Sequence, residues 1–241
     1  MLAKTKGIVI HTLQYGESSL IVTIYSENYG RISCLVNATK GIKARNKSSI
    51  IQPMFILEMD LYLKKSRELQ RIKEIRLFKP YLSIPYDVNK SSQVLFLAEL
   101  LKKIIREEEP NPDLYSFIEN SLIFFDSMKE GVANFHIWFL ACFTEYAGIY
   151  PHLSDIKQGW FDLKNGMITG KVPLHPFYMD QETTACFRDI IHRDIHELSG
   201  VNIPHHTRND LLNKLLEYYH HHFENLENFN SLTVLHEVFT R

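Results

Sequence analysis

Histidine is the residue type here with the most chemistry on offer, and 11 of the 12 histidines fall after residue 130. His192 and His196 stand four apart, a spacing that on a helix puts two imidazoles on one face, where they can share a metal ion. His205-His206 and the run His220-His221-His222 with Glu224 are further candidates. The first pair, in His192-Arg193-Asp194-Ile195-His196, lacks the intervening glutamate that serves as base in a metalloprotease helix. Two nitrogen ligands do not complete a zinc site, so these histidines read as surface or interface groups, with a histidine-liganded metalloenzyme kept as the rival reading. Glu107-Glu108-Glu109 before Pro110 reads as a solvated helix end. No GxxxxGK[ST] loop, GxGxxG turn or GxSxG elbow occurs. The expectation is a chain with no catalytic residues, one that is not an enzyme.

The other chemistry is phosphate binding, and there the average hides the signal. Lys and Arg total 27 against 28 Asp and Glu, a formal charge of -1 that argues against a nucleic-acid binder. Residues 1–80, however, hold 14 cations and 6 anions, so this part carries +8 and the remainder -9. Lys40, Lys43, Arg45 and Lys47 crowd one polar stretch. Arg67, Arg71, Lys73 and Arg76 lie along one strand-like segment, where alternation puts Arg71 and Lys73 on one face and Arg76 on the other. With Arg31, these are the candidate nucleic-acid contacts, because each cation placed on a phosphate releases condensed counterions. Tyr15, Tyr25, Tyr29 and Tyr62 offer stacking surfaces, Tyr25 equally a core position.

The elements that must position them change period along the chain. Thr5–Leu13, Ser19–Ser26, Arg31–Val36, Pro53–Lys65 and Glu68–Leu77 read as five strands, with Asn28-Tyr29-Gly30 a hairpin turn. In the fourth, Phe55, Leu57, Met59, Leu61 and Leu63 alternate with Glu58, Asp60, Tyr62 and Lys64, so one face is apolar. Five short strands suit a small closed barrel, since closure removes exposed edges. After Pro80 and Pro85 the period becomes helical, with apolar stripes from Val88, Leu114 and Phe135 and later helices near Asp180, Thr207 and Ser231. A hairpin is expected around Asn165-Gly166. The fold class is therefore α+β in two domains: a five-stranded barrel over 1–80 and an all-α domain over 81–241 with a small hairpin insertion at about 156–172. Cys34, Cys142 and Cys186 have no paired spacing, no apolar run approaches bilayer length and no signal peptide is recognisable, so a cytoplasmic location is expected.

Certain runs carry a resemblance. Lys6-Gly7-Ile8-Val9-Ile10, Tyr15-Gly16-Glu17-Ser18-Ser19-Leu20-Ile21-Val22-Thr23, Tyr29-Gly30-Arg31-Ile32-Ser33 and the basic loop at Gly41 resemble the N-terminal signature of the bacterial RecO family of DNA repair proteins. Leu211-Leu212, Leu215-Leu216-Glu217-Tyr218-Tyr219, His222 and Ser231-Leu232-Thr233-Val234-Leu235 resemble its C-terminal helices. The resemblance implies an OB-fold followed by a helical domain. It implies binding of single- and double-stranded DNA, annealing of complementary strands, and action with RecR to load RecA onto DNA coated by single-strand binding protein, in the cytoplasm at the nucleoid. RNA as the ligand of such a barrel stays open on charge alone. Many relatives carry a four-cysteine zinc site after a Pro-x-Leu pattern, matched here at Pro151 and Leu153, but Ile156 and Gly159 occupy the positions of the first cysteine pair. No zinc and no other cofactor is therefore expected, with Trp160, Phe161 and Met167 packing the hairpin instead. The acidic second half reads as the side for protein partners.

Overall fold

The computed structural model describes residues 1–16, 19–37, 49–64, 66–106, 108–154, 156, 158–224, 226 and 228–240. The N-terminal strands are β1 (Leu2–Tyr15), β2 (Ser19–Ser26), β3 (Gly30–Asn37), β4 (Ile56–Tyr62) and β5 (Leu69–Leu77). They close into a barrel in the order β1-β2-β3-β5-β4, antiparallel throughout except for β3 against β5. This is the five-stranded OB topology expected from the alternation. β1 serves two neighbours: residues 2–8 pair with β4 and residues 7–15 with β2. Its register against β2 shifts between Val9 and His11. Where the two ladders overlap stands Gly7, and a Cβ there would sit 2.4 Å from the Ile24 Cγ2, so only glycine lets the strands pass.

Val9, Val22, Ile24, Cys34, Leu57, Met59 and Leu61 fill the interior. β4 starts three residues later than expected because Met54 adopts a positive φ of 65° and Phe55 closes a turn on Gln52, which takes the chain out of extended geometry before Ile56. The β2–β3 connection is a three-residue loop. Gly30 takes the left-handed conformation at φ 60°, and the Ser26 hydroxyl donates to the Gly30 carbonyl and accepts from the Tyr29 N–H. Tyr25 proves to be core: its hydroxyl donates to the Asn111 carbonyl and its ring lies 6.3 Å from that of Tyr115, so it offers no face to a base.

The helices are α1 (Val88–Ile104), α2 (Pro112–Ser127), α3 (Phe135–Tyr146), α4 (Gln181–Ile191), α5 (His205–His222) and α6 (Asn230–Thr240). The period of the sequence changes at residue 80, but the chain groups differently by contact. Met1–Ser127 with Phe229–Arg241 form one compact unit and Met128–Asn228 a second. In the first, the turn 82–84 is held by the buried Asp126 at the end of α2, whose carboxylate accepts from the N–H groups of Leu82, Ser83 and Ile84. Beside it the buried Lys90 ammonium donates to Ser83 Oγ and to the carbonyls of Phe125 and Asp126.

The last helix is tied to the first. Glu99 of α1 accepts from the N–H groups of Asn230 and Ser231 and from the Ser231 hydroxyl, acting as an N-cap supplied by another helix. Burial would raise its carboxyl, yet the Ser231 and Asn230 donors outweigh that and hold it below its ordinary value. The Phe229 ring lies 5.7 Å from Phe96, with the Lys103 ammonium 5.2 Å from its centre. Glu99→Ala should therefore cost about 1 kcal/mol and speed amide exchange selectively over residues 230–240, read by hydrogen–deuterium exchange.

In the second unit β6 (Trp160–Asp162), β7 (Met167–Thr169) and β8 (Tyr178–Met179) form a small sheet in the order β7-β6-β8. The expected hairpin is present with a four-residue loop, organised by Asp162, whose carboxylate accepts from Lys164 N, Asn165 N and Asn165 Nδ2. Phe161 packs between Phe187 and Tyr218 as a filler should. Met167 does not: it faces out, and Ile168 and Leu163 are the buried neighbours. Tyr218 and Tyr219 of α5 donate to the carbonyls of Ile149 and Leu140.

Candidate nucleic-acid interface

Three strands of the barrel, β1, β4 and β5, share an outer face, and their register arranges its side chains in rows. Leu2, Tyr62 and Arg71 form the first row; Lys4, Asp60 and Glu74 the second; Lys6, Glu58 and Arg76 the third. Strict alternation over five residues sends Arg71 and Arg76 to opposite faces, and that expectation is corrected. A bulge opposite Asp60 and Leu61 leaves Lys73 as an extra residue, which resets the parity. Arg71, Lys73, Glu74 and Arg76 are all exposed, while Ile72, Ile75 and Leu77 pack against the barrel core.

Neighbouring acids divide these cations into two groups. Glu58 lies 2.8 Å from the Lys4 ammonium and 2.7 Å from the Arg76 guanidinium, and those two partners hold its carboxyl below the ordinary range. Lys6 is bound by both oxygens of Glu119 and approached by Glu27 at 3.3 Å, with Phe78 and Tyr115 against its ammonium. Burial works to lower its pKa, but these carboxylates leave it raised, a cation held firmly in the unit. Arg31 is also engaged. Its Nη1 donates to the carbonyls of Lys102 and Ile105 at the C-terminal end of α1, where a cation complements the helix dipole. Its burial, and then the nearby Arg106, lower its pKa.

Lys64, Arg67, Arg71 and Lys73 contrast with these, for among the described residues they make no ion pair. All four are exposed; Lys64 and Arg67 stand in the turn between β4 and β5, and Arg71 and Lys73 follow on β5. The turn is stapled by the buried Gln70 amide, which bonds the backbone of Lys64 and Arg67 and so fixes the chain that carries them. A shallow depression on the same face, which Lys73 shares, is lined by Glu58, Asp60 and Glu74 as well as Lys4, Lys73 and Arg76, so its charges balance and it offers no net positive path for a phosphate backbone. Lys40, Lys43, Arg45 and Lys47 lie outside the described residues. Lys64 was missed as a candidate contact, although its place in Leu63-Lys64-Lys65-Ser66-Arg67 was a visible signal.

The histidine pair is separated by the fold. α4 ends at Ile191, with His192 as its C-cap, and Asp194 starts a separate short 3-10 helix over Ile195–Gly200 through a capping box with Glu197. His192 and His196 are thus on different elements, and the i,i+4 argument for a shared face does not apply. Among the described residues no three His, Cys, Asp or Glu side chains group as a metal site. At the place where relatives with zinc would carry their first cysteine pair, the Ile156 side chain lies close over Gly159, and neither residue has a donor atom to give a metal. The first cysteine pair of a four-cysteine zinc site therefore has no counterpart here.

These features, a basic OB barrel followed by helices and a hairpin without cysteines, meet the comparisons with known proteins. The family model described as recombination protein O N terminal matches residues 1–81, and that described as recombination protein O C terminal matches residues 85–232. The chain belongs to the RecO family. Among similar RecO proteins is DNA repair protein RecO of Bacteroides fragilis, 36% identical over 241 residues, covering 99% of this chain and all of the relative. The RecO proteins of Phocaeicola vulgatus and Flavobacterium psychrophilum are 34% and 35% identical, with all of each chain covered. The RecO resemblance read from the short N- and C-terminal motifs thus extends along the whole chain. Among the described residues no helix is long and apolar enough to cross a membrane.

Proposed function

We propose that this chain is a DNA repair and recombination mediator that binds single- and double-stranded DNA, anneals complementary strands and acts with RecR to load RecA onto DNA coated by single-strand binding protein. Membership of the RecO family supports the repair role. The observation that carries the DNA-binding part is the group Lys64, Arg67, Arg71 and Lys73, four exposed cations on the turn between β4 and β5 and the first half of β5, free of acid partners among the described residues. Lys40, Lys43, Arg45 and Lys47 join them as proposed phosphate contacts. Arg31 and Arg76 are the weaker members, since each already has oxygen partners. RecR and single-strand binding protein are assigned to the acidic remainder of the chain, which repels a phosphate backbone. No covalent bond is made or broken; the cations neutralise phosphates so that two strands can approach.

A salt titration tests the binding step. Four phosphate contacts to a single strand should give a slope of about -3 between log K and log salt, and more if the basic loop takes part. A slope near zero removes phosphate neutralisation as the mechanism. Annealing of complementary strands, assayed with and without single-strand binding protein, tests the step beyond it.

A further inference from the structure

The first row of the outer face has an apolar character that the other two rows lack. Tyr62 is 49% exposed and Leu2, beside it on β1, 51%. Both point away from a barrel interior filled from the same strands by Ala3 and Leu61. Directly across from Tyr62 on β5 stands Arg71, and side chains so opposed have Cβ atoms about 5 Å apart. A lone exposed apolar residue means little on a protein surface. Here a ring and an aliphatic side chain lie contiguous on one row, flanked by Arg71 and next to Lys64, with no helix or strand of the described residues covering them.

We propose that Tyr62, supported by Leu2, is a stacking platform for one unpaired base of single-stranded DNA whose phosphates lie on Lys64, Arg67 and Arg71. The proposal rests on the reading of this turn as the DNA interface and goes beyond it, since it makes Tyr62 the residue that distinguishes unpaired from paired strands. Cations alone bind any phosphate backbone. A ring that meets the face of a base adds affinity only for an unpaired strand, because in duplex DNA both faces are already stacked on neighbouring pairs. Charge complementarity selects the occupant: an apolar peptide would be poorly matched to four unpaired cations, whereas a nucleotide supplies a flat apolar base and an anion a few ångströms apart.

The test compares two fluorescein-labelled strands of equal length, one of thymidine and one abasic, binding the full-length protein at one salt concentration. The wild type should bind the thymidine strand more tightly. Tyr62→Ala should weaken that strand roughly 5- to 100-fold and leave the abasic strand within about two-fold. Tyr62→Phe, which keeps the ring, should bind both as the wild type does, and Arg71→Ala should weaken both alike. Equal wild-type affinity for the two strands overturns the platform and leaves the phosphate reading standing; it needs no variant, so a folding defect cannot obscure it. Loss by Tyr62→Ala on both strands, no loss on either, or a Tyr62→Phe as weak as the alanine variant also overturns it. A wild type that binds neither strand removes the DNA interface itself.

Discussion

Replacing Lys64, Arg67, Arg71 and Lys73 together with alanine is expected to weaken binding to single-stranded DNA several hundred-fold at 0.1 M salt. Each phosphate contact to a single strand contributes about 0.7 to the salt slope, so four give about 5-fold each at that concentration, and the slope itself should fall by about 3. The loss should be the same for unrelated sequences, because phosphates carry no base identity. Stability should change by less than about 0.5 kcal/mol per site, since all four side chains are exposed and without ion pairs among the described residues. Arg76→Ala is the contrasting variant. Its guanidinium is already neutralised by Glu58, so it should lose far less than Arg71→Ala. Equal losses for the two would mean that acid partners do not decide which cations reach the DNA.

Asp126→Ala is expected to destabilise the first unit by about 3 kcal/mol, read as a lower midpoint in urea. Its carboxylate accepts from three successive backbone N–H groups at 82–84. Removing it also leaves Lys90, whose pKa is lowered by burial, without the larger of the two charges, Asp126 and Asp87, that work against that burial. The turn it holds joins the last barrel strand to α1, so the loss reaches the whole unit. The pH dependence has a definite sign. Burial acts to raise the Asp126 carboxyl, but the N–H donors of Leu82, Ile84 and Ser83 outweigh burial and hold it below its model-compound value of 3.8. A carboxyl lower in the folded than in the unfolded chain stabilises fully above the unfolded value and ceases to as pH falls through the folded one. The stability difference between wild type and Asp126→Ala should therefore be constant at neutral pH and shrink below about pH 4. A difference that persists undiminished at pH 2 would show that packing, not the ionised carboxylate, holds the turn.

Much of the fold was legible because it rests on local chemistry. The alternation of Leu57, Met59 and Leu61 with Glu58, Asp60 and Tyr62 settles which face of β4 is inside, since side chains on a strand alternate whatever the neighbours are. The helix expected near Asp180 starts there because the Asp180 carboxylate accepts from the Thr183 N–H. The β5 face was misread at Arg76 for a reason equally physical. A bulge arises from pairing with a second strand, and nothing in Leu69–Leu77 alone announces that Lys73 will be skipped. The shared helical face that the spacing allows for His192 and His196 does not form, because Asp194 opens a 3-10 helix with a cap of its own.

The amino-acid sequence by itself determined that a basic barrel of strands precedes an acidic run of helices, that no disulfide framework is available, and that the segment after Pro151 lacks the cysteines of a four-cysteine zinc site. Periodicity, charge count and donor type are properties of the chain that folding does not alter. Only the tertiary structure decided which cations are free. Lys4, Lys6, Arg31 and Arg76 look the same in sequence as Lys64, Arg67, Arg71 and Lys73. Long-range contacts place Glu58, Glu119 and the α1 carbonyls against the first four and leave the second four facing solvent. A cation's availability to a phosphate is set by the oxygens that surround it, and in a closed barrel those come from residues tens of positions away.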